Sequence, residues 1–205
     1  AKAKQILETT GVRGGLVIHV GCGDGRLTAA LRPSDSYVVQ GLDVNRDNIA
    51  KAREDLLSAG RYGDVSFRQF DGRRLPYADN LVNRIVFPNW RSAVNPAATA
   101  REIARVSAPG GMIYADAAAS AQLIKAGLQK KGNVGTLASF SKPWPADIDQ
   151  WTHHAHGADG NAVARARKVG PPRHYQWLAT PRWMRTHERE SSISASVTAA
   201  GRIYS

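Results

Sequence analysis

The chain has 205 residues, of which 42% are hydrophobic and 22% charged. That balance sits near the average of globular domains and excludes wholesale disorder, a collagen-like repeat and a disulfide scaffold. The single cysteine, Cys22, excludes a multi-cysteine metal or cluster site, and the longest apolar runs, 16–20 and 111–119, fall short of the roughly 20 residues that cross a bilayer. The formal charge of +11 is unevenly spread: residues 1–116 hold 16 basic and 12 acidic side chains, residues 117–205 hold 12 and 5. The second stretch also carries five of the six His and four of the five Trp. Basic charge interleaved with aromatics is compatible with phosphate neutralisation and base stacking, and equally with a solvated basic surface around packed Trp side chains. Ala1 stands where an initiator Met is usual, which fits a chain processed or cut from something longer.

From residue 5 to 116 short β-rich runs alternate with helix-compatible segments, the pattern of a parallel sheet covered by helices. The predicted strands are 16–20, 37–43, 65–70, 83–87 and 111–116. Between them, Arg26 to Leu31 continues a glycine-rich turn into a helix. A second helix over 47–60 sets Ile49, Ala52, Leu56 and Leu57 on one face and stops at Gly60. Asn95 as N-cap and Pro96 at the first helical position start a third helix, which Pro109-Gly110-Gly111 is expected to end. After Asp116 the alternation weakens. Residues 117–131 suit a helix, 132–145 hold at most one short strand, and 192–205 reads as two strands around 199–201. The expected fold is therefore α/β, a parallel sheet covered by helices over 1–142, followed by a Trp/Pro/His-rich tail over 143–205 with terminal β-strands.

The loop 20-VGCGDGRL-27 follows the first strand and opens a helix, so Gly21, Gly23 and Gly25 let the backbone approach a ligand without a Cβ in the way. Asp43 ends the second strand, where a carboxylate can accept both hydroxyls of a ribose. Asp71 follows the third, within reach of an adenine amino group. A dinucleotide reader needs G-x-G-x-x-G, whereas these glycines run G-x-G-x-G.

That spacing, with 41-GLDVN-45, 70-FDGRRLPY-77 and 102-EIARVSAPGGMIY-114, resembles the class I S-adenosylmethionine (SAM)-dependent methyltransferases over residues 5–116. The resemblance implies a Rossmann-like sheet, here short of the two last strands that the family usually adds, with SAM, or S-adenosylhomocysteine, across its carboxyl edge. Its ligand residues would be Gly21, Cys22, Gly23, Asp24 and Gly25 at the loop, Asp43 and Val44 at the ribose, and Asp71 and Gly72 at the adenine. The acceptor would sit after the fourth strand, in 86-VFPNWRS-92, with Asn89 and Trp90 as pocket residues. The family carries Asp or Glu two residues before the first loop glycine. His19 stands there instead and is expected to be a packed structural residue; a protonated ring would repel the ammonium and sulfonium of SAM.

The tail, 143-PWPADIDQWTHHAHGADGNAVA-164 with 169-VGPPRHYQWLATPRW-183 and the closing strands, resembles the entrance to a pyrroloquinoline quinone (PQQ)-like β-propeller. Large planctomycete-type proteins place a methyltransferase-like domain before such a propeller, so the chain looks like an N-terminal fragment of one. The resemblance implies an extracytoplasmic address, whereas use of SAM implies a cytoplasmic one. Trp144, Trp151, Trp177 and Trp183 are expected to anchor the tail by burial, and its closing strands to pair with another copy or with the missing propeller. His153, His154 and His156 do not form an established metal-site spacing, so no metal is expected. Three functions remain open at this point: methyl transfer to an unknown acceptor, a non-catalytic scaffold attached to a propeller, and a basic nucleic-acid methyltransferase or binder.

Overall fold

The computed structural model describes residues 2–8, 13–61, 63, 65–167, 197–199 and 202–204. The chain divides into two compact units, Ala1–Pro143 and Trp144–Ser205.

In the first unit, α1 (Lys2–Glu8) is followed by β1 (Gly15–Val20), α2 (Arg26–Ala30), β2 (Tyr37–Asp43), α3 (Arg46–Ser58), β3 (Val65–Gln69) and β4 (Val82–Phe87). A 3₁₀ turn at Trp90–Ser92 leads to α4 (Pro96–Val106) and β5 (Ser107–Asp116). A second 3₁₀ turn, Ala117–Ala119, precedes α5 (Ser120–Lys125), β6 (Gln129–Val134) and β7 (Leu137–Ser141). The seven strands form one sheet in the order β3-β2-β1-β4-β5-β7-β6, parallel except for β7, which runs antiparallel to both neighbours. The central strands β1 and β4 are buried along most of their length because helices cover both faces of the sheet there. In β1, Ile18 and Val20 enter the core that holds Ala100, Ile103 and Val106 of α4, while Val17 enters the one that holds Ile6 of α1 and Ile49, Ala52 and Leu56 of α3. The order reverses between β1 and β4, so the connections leaving their carboxyl ends turn to opposite faces of the sheet and leave a crevice there.

The helix starts follow from their caps. The Asn45 side chain accepts from the Asp47 N–H, and the Asn95 side chain accepts from the Ala98 N–H with Pro96 in the first turn. Leu57 leaves the expected buried face of α3 and is 61% exposed, because three residues per two turns already fill the contact with the sheet. Pro109-Gly110-Gly111 does not end α4. Ser107 does, in extended conformation with its hydroxyl donating to Ile103 O at 2.7 Å. The Pro-Gly-Gly run then lies inside β5, where the register jumps from Val82↔Ser107 to Arg84↔Met112. It is a bulge in a strand.

The sheet is also complete where one strand at most was expected after Asp116. β6 and β7 form a hairpin closed by the two residues Gly135 and Thr136, with Gly135 at φ 59° as such turns require. β6 has no apolar alternation because it is an exposed edge bearing Lys130 and Lys131, and β7 is buried along its whole length with Ala138, Ser139 and Ser141 among its five residues. Neither presents the period-2 signal of a half-buried strand.

In the second unit, residues 144–167 have no helix or strand. A tight turn pairs His153 with His156, and β8 (Val197–Ala199) pairs antiparallel with β9 (Arg202–Tyr204). Trp144 is 47% exposed and thus not the buried anchor expected of it, and Trp151 is half-buried; Trp177 and Trp183 lie outside the described residues. The three clustered His do not converge. His153 meets the Thr152 hydroxyl, His154 is exposed, and His156 is buried with Nε2 2.6 Å from the Asp149 carboxylate and its ring edge-on to Trp151.

Candidate cofactor cleft

A cavity of about 250 Å³ opens at the carboxyl ends of β1, β2 and β4. Gly21, Gly23, Asp43, Val44, Gly72 and Asn89 line it, together with apolar walls from Val20, Phe70, Leu75, Phe87 and Ile103. The glycine loop turns through three left-handed residues, Gly21, Gly23 and Gly25, at φ 71°, 51° and 76°. A Cβ on Gly23 would meet nothing within 4 Å, and one on Gly21 only the Ser92 hydroxyl at 3.6 Å and Phe87 at 3.8 Å, so both backbone positions face open space in the cavity. Gly25 differs. A Cβ there would stand 2.5 Å from the Phe67 ring, so this glycine serves packing and α2 capping and lies outside the cavity lining.

The loop does not offer its amides to an anion. The Gly21 and Cys22 N–H groups both donate to Leu42 O, that of Gly25 donates to Cys22 O, and that of Gly23 donates to the Asp43 carboxylate at 2.9 Å. A pyrophosphate held by loop amides therefore finds four of its donors already engaged. Asp43, 6% exposed, also accepts from the Asn45 N–H at 2.9 Å and the Asn48 side chain at 3.3 Å. Three of its roughly four lone-pair sites are filled by the protein, and one is left for a ligand.

Five of the sequence-predicted residues are not in the lining. Cys22 is buried beneath the loop, and burial pushes its thiol up to about 12. Asp24 is exposed, bonded to the Arg26 N–H and paired with its guanidinium. Gly25 packs on Phe67. Asp71 turns back on its own loop, accepting from the Arg73 and Arg74 N–H groups, which hold its carboxyl below the usual range. Trp90 is buried with its ring 5.2 Å from that of Phe87, so it supports a cavity wall instead of forming one. His19 is 3% exposed and bonded through Nδ1 to the Thr28 hydroxyl at 2.8 Å; burial, and secondarily the Lys2 charge, lowers it to about 4. The ring is neutral around pH 7 and carries no charge to repel a cationic ligand.

The cavity also draws on residues that sequence reasoning passed over: Asn48, Arg73, Ser92, Thr99 and Glu102. Asn48 follows Asp43 by five residues in the first turn of α3, a signal present in the sequence. Glu102 is signalled by Arg105 one turn on, the i, i+3 spacing of a helix ion pair. Ser92 and Thr99 arrive through the β4–α4 crossing and Arg73 through the β3–β4 connection, neither of which a local pattern encodes.

A methyltransferase domain model matches residues 17–111, the stretch that builds every one of these positions. The fold is the Rossmann-like sheet typical of class I methyltransferases, a family whose cofactor is S-adenosylmethionine. The methyltransferase GfsG of Streptomyces halstedii is 35% identical over 112 residues, which is 54% of this chain and 40% of that protein. The ubiquinone/menaquinone biosynthesis C-methyltransferase UbiE of Pseudomonas paraeruginosa is 32% identical over 113 residues, 52% of this chain and 43% of that one. The chain thus spans about two-fifths of the length of these curated relatives. Among solved structures, a SAM-dependent methyltransferase from Aquifex aeolicus superposes with a TM-score of 0.57 at 17% identity, covering 67% of this chain and 87% of that one. The [4+2]-cyclase SpnF does so with 0.57 at 22%, covering 63% and 57%. At such identities the likeness concerns the fold, and one fold here carries a methyltransferase and a cyclase.

Proposed function

We propose that the cavity binds SAM and that the chain transfers its methyl group to an acceptor standing on the Asn89 side. The observation that carries this reading is the clasp between Asp43 and the Gly23 amide, which fixes a carboxylate beside two glycines whose missing side chains leave the cavity open. Asp43 has room to accept one ribose hydroxyl, not the two that its position alone suggested. Val44 and the Gly72 backbone supply an apolar edge for the base, and Gly21 allows close approach of the methionine part. When bound, SAM supplies a methyl group on a sulfonium, a reaction for which the protein's part is positioning. Isothermal titration with SAM and S-adenosylhomocysteine tests the reading; saturable binding supports it, and no binding at millimolar ligand removes it.

A scaffold role is the second reading, favoured by His19, whose ring turns to Thr28 and contributes nothing to the cavity. The paired strands β8 and β9 are in keeping with an entrance to a propeller or with self-association, and that role carries the extracytoplasmic address. Nucleic-acid binding, prompted by the charge of +11, predicts retention on RNA or DNA that weakens steeply with salt; flat salt dependence removes it.

A further inference from the structure

The β3–β4 connection, residues 70–81, has no helix or strand, yet it supplies Phe70, Gly72, Arg73 and Leu75 to the cavity wall. A wall made of irregular chain needs something to hold it. Arg105, on the face of α4 one turn beyond Glu102, donates through Nε to Glu102 Oε1 at 2.8 Å and through one terminal nitrogen to Glu102 Oε2 at 2.7 Å and Leu75 O at 3.1 Å. The other terminal nitrogen donates to Tyr77 O at 2.9 Å and Asp79 Oδ1 at 2.7 Å. These are as many bonds as a guanidinium has N–H groups, and all of them tie α4 to itself or to this connection. Glu102 Oε2 in turn accepts the Leu75 N–H at 3.0 Å, so both backbone polar groups of Leu75 are fixed by one side-chain pair.

We propose that Arg105, itself outside the cavity lining, is the positioning residue of the cofactor cleft: with Glu102 it sets where the β3–β4 connection stands against α4, and so governs cofactor affinity. The proposal rests on the reading that the cavity takes SAM. A planar fork suits the task because it reaches two carbonyls and two carboxylates in one plane, which the point charge of a lysine does not.

The test uses the full chain. Arg105→Lys and Arg105→Gln should each raise the dissociation constant for S-adenosylhomocysteine about tenfold or more, on the scale at which displaced supporting groups act. Arg101→Gln, an exposed change on the same helix, should leave it unaltered. A second readout separates positioning from general loosening. The charged groups around Glu102 are Arg105 of its own helix and Arg74 of the connection, with Asp79 facing Arg105; the Arg105 bond chiefly holds the Glu102 carboxyl below its ordinary range. The acid limb of the binding profile should therefore move to higher pH in Arg105→Gln, whereas Glu102→Gln should remove the part of that limb that Glu102 contributes and leave the part due to Asp43. A variant that merely weakened the fold would melt earlier with that limb in place. Binding within twofold of wild type in both Arg105 variants, or an unmoved acid limb, overturns the proposal. If the wild-type chain does not bind S-adenosylhomocysteine, the cofactor reading fails on its own account. Amide exchange at 75–79 then decides the brace, and unchanged exchange in Arg105→Gln overturns it.

Discussion

Asp43 joins the glycine loop, the start of α3 and the cavity through one carboxylate. Asp43→Ala removes the ribose acceptor and leaves the Gly23 and Asn45 amides without their partner, so S-adenosylhomocysteine affinity should fall by about 1.5–3 kcal/mol, the range for a hydrogen bond to a charged group. Calorimetric titration of the variant checks this, and unchanged affinity would place the ribose elsewhere. His19 yields a prediction about pH. The unfolded chain takes up a proton near pH 6.5 that the folded chain refuses until about 4, so the stability of the neutral ring is full above 6.5 and is lost as pH falls through that window. The loss should reach roughly 3 kcal/mol by pH 4. Urea midpoints measured from pH 7 to 4 should fall more steeply for the wild type than for His19→Gln, and parallel curves would refute the assignment. Asp43, Gly21 and Gly23 were legible in the sequence because strand ends and left-handed turns fix them locally, whereas Gly25 shares their conformation but packs on Phe67. Asp71 was misread because a carboxylate after a strand is equally free to close a turn on its own backbone. Glu102 and Thr99 come to the cavity from a helix some thirty residues later in the chain.

At the level of elements, the loop glycines separate into two kinds that share one backbone conformation. Gly23→Ala, whose new methyl meets open space, should cost about 1–2 kcal/mol of stability from its left-handed φ alone and should obstruct the ligand. Gly25→Ala adds a clash with Phe67, and overpacking costs a further 1–3 kcal/mol or so. Thermal melts with and without S-adenosylhomocysteine distinguish them: the first should lose the ligand-induced rise in Tm with a mild drop of the apo value, the second should show the larger apo drop. A reversed order would contradict the packing. The start of α4 offers a control remote from the loop, since Asn95→Ala should lower stability by about 1 kcal/mol through loss of its cap, read as a shifted urea midpoint at unchanged slope. β1 and β4 were readable because burial on both faces makes them nearly continuous runs, and β3 because Val65 and Phe67 alternate with Ser66 and Arg68. β6 and β7 were not, because an edge strand guarded by lysines and a buried strand of small residues both lack alternation.

For the whole molecule, the seven-stranded sheet closes within Ala1–Pro143, so a chain ending at Pro143 should melt as one cooperative transition and keep the S-adenosylhomocysteine affinity of the full chain within about twofold, since among the described residues none beyond Ile103 lines the cavity. Broad melting of that shortened chain would show that the sheet depends on residues 144–205. The engaged amides of the glycine loop bear on selectivity in the cell. Adenosine is common to SAM and to the nucleoside triphosphates, so an adenosine-shaped cleft faces competition from a nucleotide pool. Here the Gly21, Cys22, Gly23 and Gly25 N–H groups are turned inward, and the carboxylates of Asp43 and Glu102 line the walls. A triphosphate would bring its negative charges to a loop with few donors to offer and beside fixed negative charge, so ATP should be a poor inhibitor of cofactor binding, and the site keeps its choice by refusing phosphate.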